Sequence, residues 1–233
     1  MMKAVIMAGG EGLRLRPFTY VVPKPLLPVG DISPIEYSVR YLKSIGFKEI
    51  LISTNYLKEK FQICMEYVNK YDIDIRLIEE QVKLGTAGSL DLMRSRLDEP
   101  FALLNGDLLA QPRYDDMLSI LRGCDADIVI GIKKYTTQVP YGVIQFNESN
   151  ELCSIVEKPT MTHWISAGIY VLHPRVLNNV ESQTYLDMPA LIEKTKRDGK
   201  VLTFDIGDKW LDIGKVEDYE NADRVLRSWE IVG

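Results

Sequence analysis

Histidine and cysteine are both scarce, with two and three residues in a chain of 233. Cys64, Cys124 and Cys153 lie far apart, form no C-x-x-C pair and have no ligand-spaced histidine beside them, which argues against a zinc site and a disulfide framework. His163 and His173 belong to no cluster, and ordinary surface or core positions are expected for both. A cationic excess is missing too: 28 Lys and Arg against 33 Asp and Glu leave a formal charge of −5. Such a chain has no general attraction to nucleic acid or to an anionic membrane, so any phosphate it binds must be held by a few placed cations. No apolar run approaches a membrane span, and Met1-Met2-Lys3 runs into Gly9-Gly10 too soon for a signal-peptide core. These absences predict a cytoplasmic protein with no nucleic acid and no membrane among its partners.

What is present is 46% hydrophobic and 26% charged residues, punctuated by 16 Gly and 11 Pro, without repeats or low-complexity tracts. That composition suits a single domain over residues 1–233 with a sizeable core. Short apolar runs alternate with helical patterns, as in an α/β sheet covered on both faces. Lys3 to Ala8 reads as a buried strand. Ser33-Pro34-Ile35-Glu36 joins an N-cap, a first-turn proline and a capping-box glutamate, and Gly46 stands where the helix should end; Tyr37, Tyr41, Leu42 and Ile45 form its expected apolar stripe. Strands at 50–53, 73–78 and 101–104 and helices at 57–68 and 87–97 continue a wound βαβ pattern. Strands at 127–132, 143–146, 152–156 and 165–172, with helices at 188–196 and 216–227, make a less regular second half. A Rossmann-like half followed by a mixed half places a cleft between them, at the carboxyl ends of the strands.

The first loop, Gly9-Gly10-Glu11-Gly12-Leu13-Arg14-Leu15-Arg16-Pro17, leaves the first strand directly. Its glycines permit close backbone approach to a ligand and present N–H groups to anionic oxygens, while Arg14 and Arg16 add charge. It is neither a Walker P-loop nor a clean G-x-G-x-x-G, so a plain glycine-rich turn with solvated arginines stands beside that reading. Prolines on both sides of Lys24 stiffen the backbone around one cation, the alternative being a surface lysine in a proline-rich loop. Asp107 follows the strand Phe101–Leu104, and Asp212 has a matching apolar-strand context in Trp210-Leu211-Asp212-Ile213-Gly214. Two such carboxylates could share one hard divalent cation, whereas alone Asp107 would read as a turn residue.

Ala8-Gly9-Gly10-Glu11-Gly12-Leu13-Arg14-Leu15, Pro23-Lys24-Pro25-Leu26, Leu84-Gly85-Thr86-Ala87-Gly88, Asn105-Gly106-Asp107, Tyr141-Gly142-Val143, Glu157-Lys158-Pro159, Ser166-Ala167-Gly168-Ile169-Tyr170 and Trp210-Leu211-Asp212-Ile213-Gly214 stand in the order seen in sugar-1-phosphate nucleotidyltransferases. The resemblance covers essentially the whole chain and is greatest to short single-domain members, which include mannose and heptose 1-phosphate guanylyltransferases. It implies an α/β fold with a Rossmann-like mixed central sheet, helices on both faces and no C-terminal β-helix. A nucleotide-binding half at about 1–110 and a sugar-phosphate-binding half at about 111–233 follow from it. On the same ground Ala8, Gly9, Gly10, Gly12, Arg14, Glu80, Gly85, Thr86, Asn105 and Gly106 are expected at the nucleotide, with Arg14 and Lys24 catalytic. Tyr141, Gly142, Glu157, Lys158, Ser166 and Ala167 are expected at the sugar phosphate, and Asp107 and Asp212 on Mg²⁺. Leu13 departs from the family's usual threonine or serine and Ser166 from its common asparagine, the second bearing on the identity of the sugar.

The implied reaction joins a nucleoside triphosphate to a sugar 1-phosphate and releases pyrophosphate, in a monomer or homodimer. GTP is expected over UTP and dTTP, because a carboxylate such as Glu80 only accepts hydrogen bonds and guanine offers two donors side by side; a solvated Glu80 is the competing reading. The alternatives are a UTP- or dTTP-dependent glucose-type transferase, a CMP transferase to phosphocholine, a glycosyltransferase of similar fold, and a non-catalytic nucleotide-binding subunit. The last predicts decay of Arg14, Lys24 or an aspartate, and all are in place.

Overall fold

The computed structural model describes residues 2–229; Met1 and residues 230–233, the ends of the span expected for the domain, lie outside the described residues. The strands are β1 (Lys3–Met7), β2 (Glu49–Thr54), β3 (Asp74–Glu79), β4 (Phe101–Asn105), β5 (Leu108–Ala110), β6 (Ile128–Gln138), β7 (Val143–Phe146), β8 (Leu152–Val156), β9 (Thr160–Leu172), β10 (Val201–Asp205) and β11 (Trp210–Asp212). The helices are α1 (Pro34–Ser44), α2 (Glu66–Tyr71), α3 (Gly85–Gly88), α4 (Tyr114–Gly123), α5 (Met188–Asp198) and α6 (Val216–Arg227). Seven strands form one sheet in the order β10-β6-β9-β4-β1-β2-β3. β9 runs antiparallel to its neighbours β4 and β6, and every other pairing in the sheet is parallel. β9 therefore joins the second half of the chain to the wound first half through backbone hydrogen bonds.

Successive side chains of a strand point to opposite faces, and the sequence uses that period throughout. Ala4, Ile6, Ile50, Ile52, Ala102, Leu104, Ile169 and Val171 turn to one face, where Ile35, Val39 and Leu42 of α1 and Met117, Leu118 and Leu121 of α4 cover them. Val5, Leu51, Leu103 and Tyr170 turn to the other and meet Ala87, Leu90, Met93 and, from α5, Leu191. Each fully buried large side chain contributes about 1.5–3 kcal/mol, so these two layers carry the fold. A third cluster of Leu15, Leu27, Val29, Leu109, Ile213, Ala222 and Leu226 ties the first loop to α6. Among the described residues no helix is long and apolar enough to cross a membrane.

Several elements differ from expectation. The helices expected at 57–68 and 87–97 are composite: a 3₁₀ segment, Lys58–Met65, precedes α2, and another, Ser89–Arg96, follows α3. β6 and β9 are longer than expected because they pair with each other beyond the sheet, from Ile132 opposite Ser166 to Gln138 opposite Thr160. β5, α4 and β10 fall where no element was read, while β11 coincides with the apolar-strand context read at Trp210-Leu211-Asp212. On α1, Ile35, Val39 and Leu42 face the sheet while Tyr37 turns to the third cluster. Only half of its capping box forms: the Ser33 hydroxyl accepts the Glu36 N–H at 3.3 Å, but the Glu36 carboxylate accepts hydrogen bonds from Lys70 and Tyr71 instead of returning to Ser33.

Candidate active site

A cleft of about 510 Å³ opens where the parallel neighbours β1 and β4 end, lined by Met7 and Ala8 from one strand and Asn105 and Asp107 from the other. Open α/β sheets place ligand sites at such carboxyl ends. The loop after β1 is fixed at its start by the Ala8 N–H, which donates to the Ser53 carbonyl at 2.9 Å. It turns at Gly12, whose φ is +61° and whose carbonyl accepts from the Thr19 hydroxyl at 2.9 Å. Leu15 is fully buried beneath the loop, which leaves Arg14 exposed at the cleft with no ion pair among the described residues. A Cβ at Gly10 would meet nothing within 4 Å, so this backbone is open to a ligand.

Glu80 is not the solvated residue of the competing reading, being only 5% exposed. Its carboxylate accepts from the Ser53 hydroxyl at 2.5 Å and from the Leu84 N–H at 3.2 Å. Burial of so polar a group is offset by these two partners, and the result is a rigid wall where Gly9 passes.

The glycines of Leu84-Gly85-Thr86-Ala87-Gly88 also answer to a packing demand that the sequence did not show. The segment 184–188 straps across them: Ala87 and Gly88 N–H both donate to the Leu186 carbonyl at 2.9 Å, and the Leu186 N–H returns to the Leu84 carbonyl at 2.8 Å. A Cβ at Gly85, where φ is +79°, would lie 2.5 Å from the Leu186 carbonyl oxygen, and one at Gly88 2.5 Å from that of Thr184. The Thr86 hydroxyl accepts the Met188 N–H at 2.9 Å. Gly85 and Thr86 still line the cleft, but the motif is held first by the strap. Gly106 stays out of the lining, with its N–H committed to the Met7 carbonyl at 2.9 Å and a Cβ there blocked by the same carbonyl.

Lys24 begins a 3₁₀ turn between buried Pro23 and Pro25 and is itself 8% exposed, so it is not a surface lysine. Its Nζ is ion-paired with Asp107 and lies 3.7 Å from the Asp212 carboxylate. A ladder sets the two carboxylates side by side: Asp212 is opposite Leu108 in the β5–β11 pair, and the Ile213 N–H donates to the Asp107 carbonyl at 3.3 Å. Asp212 ends a short, half-buried strand rather than following a buried one as expected. Burial, and then the neighbouring Asp107, push the Asp212 carboxyl above its ordinary range against the pull of Lys24 and Arg14.

The residues expected at the sugar phosphate are not in this lining. Tyr141, Gly142, Glu157 and Lys158 gather at the exposed base of the β7–β8 hairpin, where the Lys158 N–H donates to the Tyr141 carbonyl at 3.2 Å and a Cβ at Gly142 would lie 3.0 Å from the Glu157 carboxylate. Ser166 shares a 3.0 Å hydrogen bond with the Tyr170 hydroxyl, and the carbonyl of buried Ala167 accepts from the Trp210 indole at 2.8 Å. Conversely, Lys83, Tyr185, Asp187 and Gly214 line the cleft without having been picked out. Gly214 lies inside a quoted motif and Lys83 adjoins one, so both were within reach of the sequence, whereas Tyr185 and Asp187 arrive only through the strap.

The glycine-lined cleft with its lysine and paired aspartates belongs to a phosphate-handling α/β protein, and sequence comparison narrows the class. The chain belongs to the Nucleotidyl transferase family, whose sequence model matches residues 3–228. It is similar to a mannose-1-phosphate guanyltransferase of Schizosaccharomyces pombe, 33% identical over 231 residues, and to the mannose-1-phosphate guanylyltransferase catalytic subunit beta of Dictyostelium discoideum, 30% identical over 224. Each match covers 94% of this chain but 62% of the relative, so the chain spans less than two thirds of these curated relatives. HddC from Yersinia pseudotuberculosis, solved also as a complex with GMP-PN, superposes with TM-scores of 0.75 and 0.74 at 26% and 25% identity, over 97% of this chain and 100% of the HddC chain.

Proposed function

We propose that this chain is a sugar-1-phosphate nucleotidyltransferase that joins GTP to a mannose-type 1-phosphate. The observation that carries the reading is Lys24 and Asp107 in the lining of a glycine-lined cleft, with Asp212 3.7 Å from the Lys24 Nζ and Arg14 exposed beside them. The names of the fungal and Dictyostelium relatives, and the GMP-PN bound by HddC, support the choice of guanine and mannose. The nucleophile is a phosphate oxygen already ionised near neutral pH, since the second pKa of a phosphate monoester is about 6, so no general base is called for. That oxygen attacks the α-phosphorus, the bond to the bridging oxygen breaks, and pyrophosphate leaves with the electron pair. The work left to the protein is alignment of two polyanions and stabilisation of transferring charge. In this reading Arg14 and Lys24 hold the triphosphate, Lys158 orients the sugar phosphate, and Glu80 uses acceptor sites beyond those taken by Ser53 and Leu84 to read guanine.

The donor set suits Mg²⁺. Two hard carboxylates face a single ammonium, which leaves them under-neutralised, and Mg²⁺ is commonly held by one or two carboxylates with phosphate oxygens and waters completing its shell. Asp107 and Asp212 would hold the ion, which would supply charge neutralisation at the phosphates. The free thiols of Cys64, Cys124 and Cys153 support placing the enzyme in a reducing cytoplasm.

Pyrophosphate release from the five common NTPs with mannose 1-phosphate and glucose 1-phosphate tests the reading. GTP with mannose 1-phosphate is expected to give the highest kcat/KM; a preference for UTP or dTTP would replace the base, and no release with any pair would overturn the activity. Asp107→Asn and Asp212→Asn are each expected to lower turnover by about two decades or more, with circular dichroism unchanged.

A further inference from the structure

The two cations of the cleft are differently committed. Arg14 is exposed and forms no ion pair among the described residues, while Lys24 is buried and bound to the aspartates. Lys24 stands between buried prolines in the chain, and Asp212 is set in the β5–β11 ladder with the Ile213 N–H on the Asp107 carbonyl. Lys24 sits against both carboxylates where a divalent ion shared by Asp107 and Asp212 would lie, so the ammonium and the ion compete for the pair. The charges favour such an exchange: one ammonium neutralises only part of the charge of the two carboxylates without nucleotide, whereas a doubly charged ion would match it when the triphosphate offers the ammonium new oxygens.

We propose that Lys24 is an internal counter-ion that occupies the divalent-ion position in the nucleotide-free enzyme, so that the metal enters together with the triphosphate rather than before it. This rests on the reading of Asp107 and Asp212 as the ion's ligands. If Lys24 covers the pair for about nine-tenths of the time, free divalent ion binds roughly tenfold more weakly than to the uncovered pair. Removing the lysine should therefore create an ion site that no longer waits for nucleotide.

The test is Mn²⁺ binding without nucleotide, read by calorimetry and by the loss of the free-ion electron paramagnetic resonance signal. Lys24→Gln and Lys24→Met are expected to bind Mn²⁺ about tenfold or more tightly than wild type, and Arg14→Gln, which removes a cleft charge but no ion pair, within about threefold of it. With a non-hydrolysable GTP analogue present, the gap between wild type and the Lys24 variants is expected to close. Asp107→Asn is expected to abolish binding in wild-type and Lys24→Gln backgrounds alike. If Asp107→Asn abolishes binding but the folded Lys24 variants bind Mn²⁺ no more tightly than wild type, the counter-ion role alone is overturned. If Asp107→Asn leaves Mn²⁺ binding unchanged, the ligand reading falls and takes this role with it. Lys24 variants that fold only when Mn²⁺ is supplied would support the substitution of ion for lysine; variants unfolded even with Mn²⁺ would contradict it.

Discussion

Glu80 lets the conformational and the chemical demands of one residue be separated. Its two hydrogen bonds, from the Ser53 hydroxyl and the Leu84 N–H, both need an acceptor, and an amide supplies only one. Glu80→Gln is expected to cost about 1–3 kcal/mol in urea unfolding, the penalty of a buried donor left without its partner. An unchanged unfolding midpoint would show that the Ser53 and Leu84 bonds are dispensable. Gly10→Ala makes the opposite kind of probe. With no atom within 4 Å of the added carbon, the free protein should melt as wild type does, so a raised KM for the nucleotide would report the ligand's approach to that backbone. A KM equal to wild type would move the nucleotide away from Gly10. Of the residues expected at the nucleotide, Gly10 and Arg14 were legible because a strand end followed by glycine and arginine is a local pattern. The burial of Glu80 was not, because Ser53 lies on another strand.

At the scale of elements, Glu36 couples α1 to α2. Burial alone would raise its carboxyl, but hydrogen bonds from Lys70 and Tyr71 outweigh that and hold it below the ordinary value of 4.5. A carboxyl depressed on folding stabilises the protein above its unfolded pKa, and that contribution is lost as pH falls through the folded value. Thermal melts of Glu36→Gln across the acid range are therefore expected to show a shallower loss of stability below about pH 4.5 than wild type; parallel curves would remove Glu36 from the acid response. Serine, proline and glutamate placed α1 well in the sequence, whereas the partner of the glutamate was out of reach because Lys70 and Tyr71 lie a helix away. For α4 the signal was present: Tyr114, Met117, Leu118 and Leu121 follow the helical spacing, are all buried, and mark an element that the reading of strands had passed over. The 3₁₀ stretches before α2 and after α3 had no comparable mark, since apolar periodicity barely separates three residues per turn from 3.6.

On the scale of the whole molecule, the residues assigned to the two substrates lie in different places: a cleft lined from the first half, the strap and Gly214, and outside it an exposed cluster at the hairpin base with Ser166 and Ala167 on β9. Lys158, in the second group, is expected on replacement by alanine to raise the apparent KM for the sugar phosphate while leaving that for the nucleotide near wild type. Steady-state kinetics with each substrate varied in turn decides this, and a shift confined to the nucleotide would reverse the assignment. Motif order put both groups forward, but their separation in space is a property of the β6–β9 extension, which carries the hairpin beyond the sheet and has no local sequence signature.

The strap and the β5–β11 ladder also bear on how the protein comes into being on the ribosome. A growing chain that has completed β5 already owns the glycine loop, Lys24 and Asp107, yet Leu186 and Asp212 have still to be made. Until they are, Ala87 and Gly88 lack the carbonyl that receives their N–H groups, and Lys24 has only one of its two carboxylates. Buried amides without acceptors cost about 1–3 kcal/mol each, enough to keep that loop from setting early. The wall of the cleft that the strap holds therefore sets only after Leu186 has been made, and the second carboxylate beside Lys24 arrives only with Asp212.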